Sequence, residues 1–236
     1  MTMRLHNFFV EEKLNNKKEF ETNNIELIHQ WKNVFRLKVG DKVILLDNSG
    51  FEFYGTILLL SKNKTIVLIN EIKENTKPKN LKNYEVYLYV SLIKKNNFEL
   101  ILEKGTELGV TCFVPIISDR SEKKDFNKER AQKIIKEASE QSGRGFLPTL
   151  MEVVDLKNAL RDNVRFIVFH LVGDKFEKNN FKVDEKIGIL IGPEGGWKDE
   201  EINFFKKNKI PVVSLGSQIL RSETAAISVS SLLLLD

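Results

Sequence analysis

The chain reads as an α/β protein in two parts: a mainly parallel sheet with helices on both faces, preceded by a small β-barrel or sheet. Three observations predict this. Short β-branched runs separated by tight polar turns fill the stretch from Gly40 to Ile72. A segment almost without apolar residues, Lys73 to Asn83, follows and carries Pro78. Beyond it, strand-length apolar runs alternate with amphipathic helical patterns, the rhythm of a parallel sheet. The expected boundaries are residues 1–72, a linker at 73–83, and 84–236.

In the first part "KVILL" meets the turn "DNSG". "FEFYGTILLL" then reaches a second polar turn, "SKNK", before "TIVLINEI". In the second part "YEVYLYVSLI" is apolar on both faces, as a strand covered on both sides must be. "NFELILEKGTELG" sets Phe98, Ile101, Leu102, Gly105 and Leu108 on one helical stripe, with Gly109 placed to stop it. "VTCFVPII" is the next strand. "KERAQKIIKEASEQSGR" puts Ala131, Ile134, Ile135 and Ala138 on one face and ends at Gly143. Strands "RFIVFHL" and "KIGILIG" follow, then helix "KDEEINFFKKN", whose acidic start and basic end suit the helix dipole. Strand "IPVVSLG" and a last helix from about Thr224 complete the chain.

Composition narrows the classes. A hydrophobic content of 42% with 30% charged residues is that of an ordinary globular protein. A formal net charge of +4 is compatible with an anionic partner without demonstrating one. The single cysteine, Cys112, excludes an intrachain disulfide and a cysteine-based zinc site, and its apolar surroundings read as a packing thiol. The three histidines, His6, His29 and His170, are too scattered to argue for a metal. "MTMRLHNFFV" carries no signal-peptide core and "SLLLLD" is too short to span a bilayer, so a cytoplasmic location is expected.

Ligands of parallel sheets bind beyond the carboxyl ends of the strands. Three strands here run into suggestive loops: "FHLVGDK", "IGPEGGW" and "LGSQILRSETA". The glycine-rich loop lacks both the P-loop ending and the Gly-x-Gly-x-x-Gly spacing, so it is either a tight turn or a seat for another ligand. Glycine lets main-chain amides and carbonyls approach a flat adenine edge closely, with Leu171, Ile191, Leu215, Ile219 and Leu220 as apolar walls. At the last helix start, Ser222 or Thr224 suits a cap, Glu223 the dipole, and Arg221 an anion or base contact.

"IGPEGGW" before an acidic helix start, with "LGSQILRSETAAI" near the C-terminus, resembles the SPOUT class of RNA methyltransferases. More narrowly, the chain resembles the family that methylates N3 of a uridine in 16S ribosomal RNA, ribosomal RNA small subunit methyltransferase E. "MRLHNFFV" and "HQWKNVFRLKVGDKVILLDNSGFEFYGTI" resemble its PUA-like barrel. "LILEKGTELGVTCFVPIISDRSE" and "KERAQKIIKEASEQSGR" resemble the middle of its catalytic domain. The family commonly has arginine where this chain has Asn7 and Gln218.

The resemblance implies a trefoil-knotted sheet, a homodimer, and S-adenosylmethionine as methyl donor, with no metal. Its cofactor pocket falls on Leu171, Gly173, Ile191, Gly192, Pro193, Glu194, Gly195, Gly196, Leu215, Gly216, Ile219, Leu220 and Arg221. Arg221 is the candidate for stabilising a developing imide anion, and Glu223 for accepting the uridine proton. Arg4, Arg36, Lys38, Arg120 and Arg144 are the candidate contacts to small-subunit ribosomal RNA. Two rivals remain: a non-catalytic RNA-binding or assembly protein of the same fold, and a SPOUT enzyme with another RNA target.

Overall fold

The structure, a computed structural model, describes residues 5–75, 84–177 and 186–235. The chain divides into two compact units: Met1–Pro78 with Ser139–Leu147, and Lys79–Ala138 with Pro148–Asp236. Arg4 and most of the expected linker, residues 76–83, lie outside the described residues.

In the first unit five strands form one sheet: β1 (Asn7–Phe9), β2 (Glu19–Thr22), β3 (Lys42–Leu46), β4 (Phe51–Leu60) and β5 (Thr65–Glu74). The order is β1-β3-β4-β5-β2, antiparallel except that β1 runs parallel to β3. The two shortest strands, β1 and β2, carry no long alternating run that sequence periodicity can detect. Phe8 from one edge strand and Phe20 from the other join one core with Val43, Phe53, Ile57 and Val67, so the sheet curls round that core. Trp31 completes it from a π-helical turn, Gln30–Val34, that follows the short helix α1 (Ile25–His29). Asn24 caps α1, its side chain accepting from the Leu27 amide at 3.0 Å.

The segment Ser139–Leu147 belongs to this unit although its sequence continues the second part, and the hydrogen bonds say why. Glu140 accepts the Phe9 amide at 2.8 Å through Oε1, and its carbonyl accepts Asn7 Nδ2 at 2.8 Å. The Leu147 amide donates to Asn48 Oδ1 at 2.8 Å. Phe146 lies on Gly50, where a Cβ would come within 2.4 Å of its ring and φ is +84°.

The second unit holds a seven-stranded sheet: β6 (Glu85–Ser91), β7 (Cys112–Ile117), β8 (Thr149–Leu150), β9 (Val154–Asp155), β10 (Arg165–Lys175), β11 (Lys186–Ile191) and β12 (Val212–Ser214). The order is β12-β10-β11-β6-β7-β8, with β9 also on β7, and every pairing is parallel. Helices α2 (Lys95–Leu108), α3 (Lys128–Ser142), α4 (Leu156–Ala159), α5 (Asp199–Lys207) and α6 (Ser222–Leu234) complete it.

Alternation along the strands separates two cores. Val86, Leu88 and Val90 of β6 and Ile187, Ile189 and Ile191 of β11 pack with Ile101 and Leu102 of α2, Ile135 of α3 and Val229 of α6. Tyr89, Leu190, Val168 and Val114 face the other way, onto Leu156 of α4 and Trp197 and Phe205 around α5. Both faces are therefore dry, and each fully buried Leu or Ile contributes about 1.5–3 kcal/mol. Gly109 ends α2 at φ +108°, as its sequence position predicts. Cys112 is buried, and desolvation pushes its thiol up to about 11.

Several boundaries differ from expectation, β5 running on to Glu74 inside the segment read as a linker. Helix α6 begins at Ser222 with Arg221 as its N-cap residue, two positions before Thr224. Strand β10 does not end near Leu171 but continues to Lys175. Its pairing with β12 shifts register between Phe169 and Asp174, so residues 170–173 bulge before the ladder resumes.

Candidate active site

Strands β10, β11 and β12 are parallel neighbours or next neighbours, so their carboxyl ends meet at one edge of the sheet. There the three loops singled out by sequence enclose a cavity of about 280 Å³ within the second unit. From β10 come Phe169, His170 and Leu171; from the glycine loop, Ile191 through Trp197; from the loop after β12, Ser214, Leu215, Gly216, Gln218, Ile219 and Leu220, with Ser222 and Ala225 of α6.

The glycine loop is held from several directions. Gly196 takes φ +68° and donates its amide to the Pro193 carbonyl at 2.8 Å, closing a tight turn. At Gly192 an added Cβ would meet the Trp197 indole at 3.1 Å, so the ring packs directly on the backbone. Trp197 Nε1 in turn donates to the Phe169 carbonyl at 3.2 Å, joining the ends of β11 and β10. Ser222 Oγ donates to the Gly192 carbonyl at 2.8 Å. Glu194 lines the cavity and its Oε1 also accepts the Lys94 amide at 3.2 Å, serving the start of α2. Arg120 Nη1 donates to the Gly195 carbonyl at 2.7 Å.

The third loop is fixed by its own hydroxyl. Ser214 Oγ donates to the Gly216 carbonyl at 2.7 Å and accepts the Gly216 amide at 3.1 Å. Gly216 holds φ +147°, a value that disfavours a side chain. Apolar residues remain open at the rim: Ile219 is 85% exposed and Leu171 46%.

Not every sequence candidate joins this wall. Gly173 lies outside the lining; a Cβ there would stand 2.5 Å from the Val213 backbone, so its glycine serves the contact of β10 with β12. Arg221 is exposed at the start of α6 between the lining residues Leu220 and Ser222. Glu223 is 8% exposed, stands off the lining, and its Oε2 has no hydrogen-bond partner among the described residues. Neither Ser222 nor Thr224 caps α6: Ser222 spends its hydroxyl on Gly192, and Thr224 is exposed.

Among the proposed RNA contacts, Arg36 and Lys38 are exposed in the first unit, and Arg36 sits at φ +54°. Arg144 is only 6% exposed, and burial pushes its guanidinium down to about 10. A cation so covered is not an open surface contact in this chain. Arg120 is exposed but engaged with the glycine loop.

Sequence reasoning left out His170, Trp197, Ser214 and Ser222 as lining residues, although each lies inside or beside a quoted motif. Burial lowers the pKa of His170, with Lys206 adding to the effect and Asp199 opposing it. Its Nδ1 accepts the Val172 amide at 3.2 Å across the bulge.

Comparison with known proteins agrees with this geometry. Residues 79–234 match the family model described as an RNA methyltransferase domain, and residues 32–70 match an RNA methyltransferase PUA domain. The chain is 33% identical to ribosomal RNA small subunit methyltransferase E of Mesomycoplasma hyopneumoniae, covering 94% of this chain and 96% of that one. It is 31% identical to the Bacillus subtilis protein of the same name, over 85% and 84%. A methyltransferase from Legionella pneumophila solved with bound SAM superposes with a TM-score of 0.84 at 26% identity, over 98% and 97%. A parallel sheet clothed on both faces, a PUA sheet before it and a glycine-walled cavity at the strand ends thus meet matches that span both units: the chain belongs to the ribosomal RNA small subunit methyltransferase E family of RNA methyltransferases.

Proposed function

We propose that this protein transfers a methyl group from S-adenosylmethionine to N3 of a uridine in small-subunit ribosomal RNA. The observation that carries this reading is the convergence of three loops on one cavity whose wall is largely main chain. Its volume of about 280 Å³, with an open side, lies near the small end of ordinary ligand sites, roughly 300–1,000 Å³. The residues fit an adenosine: backbone at Gly192 to Gly196 for its polar edge, and Leu171, Ile191, Leu215 and Leu220 for its faces.

The bound sulfonium supplies an already activated methyl group, so the protein's task is alignment and charge. Uridine N3 becomes nucleophilic only as its proton departs, leaving an imide anion. Arg221, exposed beside the cavity rim, is assigned to that anion. Glu223, next in the chain to the lining residue Ser222 and with a buried carboxylate oxygen that has no donor among the described residues, is assigned to the proton. Arg36 and Lys38 contribute phosphate contacts from the PUA unit. The target base must leave its stack to reach the cavity.

The protein acts in this reading as a cytoplasmic homodimer. No helix among the described residues is long and apolar enough to cross a membrane.

Calorimetric titration with S-adenosylmethionine, followed by mapping of methyl marks on small-subunit RNA from cells lacking the gene, tests the assignment. Cofactor binding together with loss of one uridine mark supports it. Absence of binding with an unchanged modification pattern overturns it.

A further inference from the structure

Arg120 reaches the glycine loop from outside the three loops that enclose the cavity. It sits just beyond β7, exposed, where a cationic side chain invites the reading of an RNA contact. Its geometry is directed elsewhere. Nη1 donates to the Gly195 carbonyl at 2.7 Å and stands 3.5 Å from the Trp197 carbonyl. The aliphatic stem lies on the same loop: a Cβ built on Gly195 would stand 3.4 Å from Arg120 Cδ and 3.7 Å from Arg120 Cβ. The side chain thus covers Gly195 with its methylenes and ties the carbonyl with its charge.

The backbone that carries Arg120 is anchored on both sides. Ser118, 5% exposed, bonds Ser91 at the end of β6 through its hydroxyl at 3.0 Å, and its amide donates to Ser121 Oγ at 3.0 Å. The Asp119 amide donates to Glu201 Oε1 at 3.1 Å, and Asp119 Oδ2 pairs with Lys198 Nζ at 3.3 Å. Glu201 also accepts the Lys198 amide at 2.8 Å, so one buried carboxylate joins this segment to the start of α5. A fixed base with a charged fork at its tip is what a restraint on a neighbouring loop requires.

The glycine loop needs one. Gly195 and Gly196 bring no side chain of their own to hold the turn, and glycine has the most conformational freedom to lose. We propose that Arg120 is a positioning residue for the cofactor loop, fixing Gly195 and Trp197 in the shape that receives the methyl donor. The proposal rests on the S-adenosylmethionine reading of the cavity. It assigns to Arg120 a role separable from RNA affinity, because Nη1 is directed at the loop carbonyls rather than at solvent.

The test uses the full chain with Arg120→Ala and Arg120→Lys. Amide exchange in residues 192–197, measured without cofactor, should quicken in Arg120→Ala while exchange in β6 and β11 stays unchanged. Affinity for S-adenosylmethionine should fall roughly tenfold, the order expected for losing a charge-assisted hydrogen bond. Arg120→Lys, which keeps one donor toward Gly195, should recover part of both. Binding of a small-subunit RNA transcript should keep its affinity and salt dependence. Unchanged exchange in residues 192–197 overturns the proposal, as does a wild-type cofactor affinity combined with an RNA salt slope reduced by about one. Quickened exchange in a protein whose wild type binds no S-adenosylmethionine would instead keep the restraint and remove the functional reading.

Discussion

Ser222 Oγ donates to the carbonyl of Gly192 across 2.8 Å, so the first residue of α6 is tied to the first glycine of the loop after β11. The two residues are separated by a whole helix and strand in sequence. Their bond closes the cavity between its second and third walls.

Ser222→Ala removes that bond and leaves the Gly192 carbonyl without its donor. The expected cost is about 1 kcal/mol in stability, with cofactor affinity lowered several-fold. Thermal melting and calorimetric titration of the same variant measure the two effects. A variant with wild-type affinity would show that the loop keeps its shape without α6.

Gly173→Ala separates packing from ligand contact. Its Cβ would fall 2.5 Å from the backbone of Val213, where neither partner is a flexible side-chain end. Destabilisation of at least 1–3 kcal/mol is expected, the range for overpacking. The loss should be visible in melting before any ligand is added. An unchanged melting temperature with lost cofactor binding would return Gly173 to the ligand site.

His170 predicts an acid sensitivity. Burial holds its folded pKa below the ordinary value near 6.5, so the neutral ring is favoured in the native state. Its contribution is present above the unfolded pKa and is lost as pH falls through the lowered folded value. The neutral ring also keeps Nδ1 free to accept the Val172 amide. Asp199 and Lys206, which face it electrostatically, pull in opposite directions. His170→Asn should flatten the wild-type fall in melting temperature between pH 7 and about pH 5. Identical pH profiles for wild type and variant would overturn this.

Cys112 should be inert to thiol reagents in the native state. Its thiol is buried and held up to about 11, so almost no thiolate is present at neutral pH. Labelling by an aromatic disulfide reagent should be slow for the folded protein and quick in denaturant. Rapid native labelling would mean that the strand opens locally.

The sequence shows most clearly what periodicity and punctuation encode. Apolar runs on both faces announced β6 and β11, and Gly109 and Gly143 marked the ends of α2 and α3. The three loops were found because a parallel sheet places its strand ends together, and topology alone brought them to one cavity. What stayed hidden depends on contacts between residues far apart in the chain. Nothing local in "SDRSE" says that Arg120 reaches Gly195, and nothing in "LRSET" says that Ser222 turns to Gly192 rather than capping its own helix. The nearness of Gly173 to Val213 is likewise invisible locally, because Val213 lies in another strand. The burial of Arg144 has no local signature either.

The bond from the Phe9 amide to Glu140 has a consequence for behaviour in solution. Strand β1 pairs with β3 on one side only and is an edge of its sheet. An edge with a free donor offers a template to a strand from any other chain. Glu140 fills that donor with a carboxylate, and its own carbonyl holds Asn7 two residues earlier. The end of a helix thus stoppers this donor of the edge with charge, which disfavours strand-to-strand self-association there.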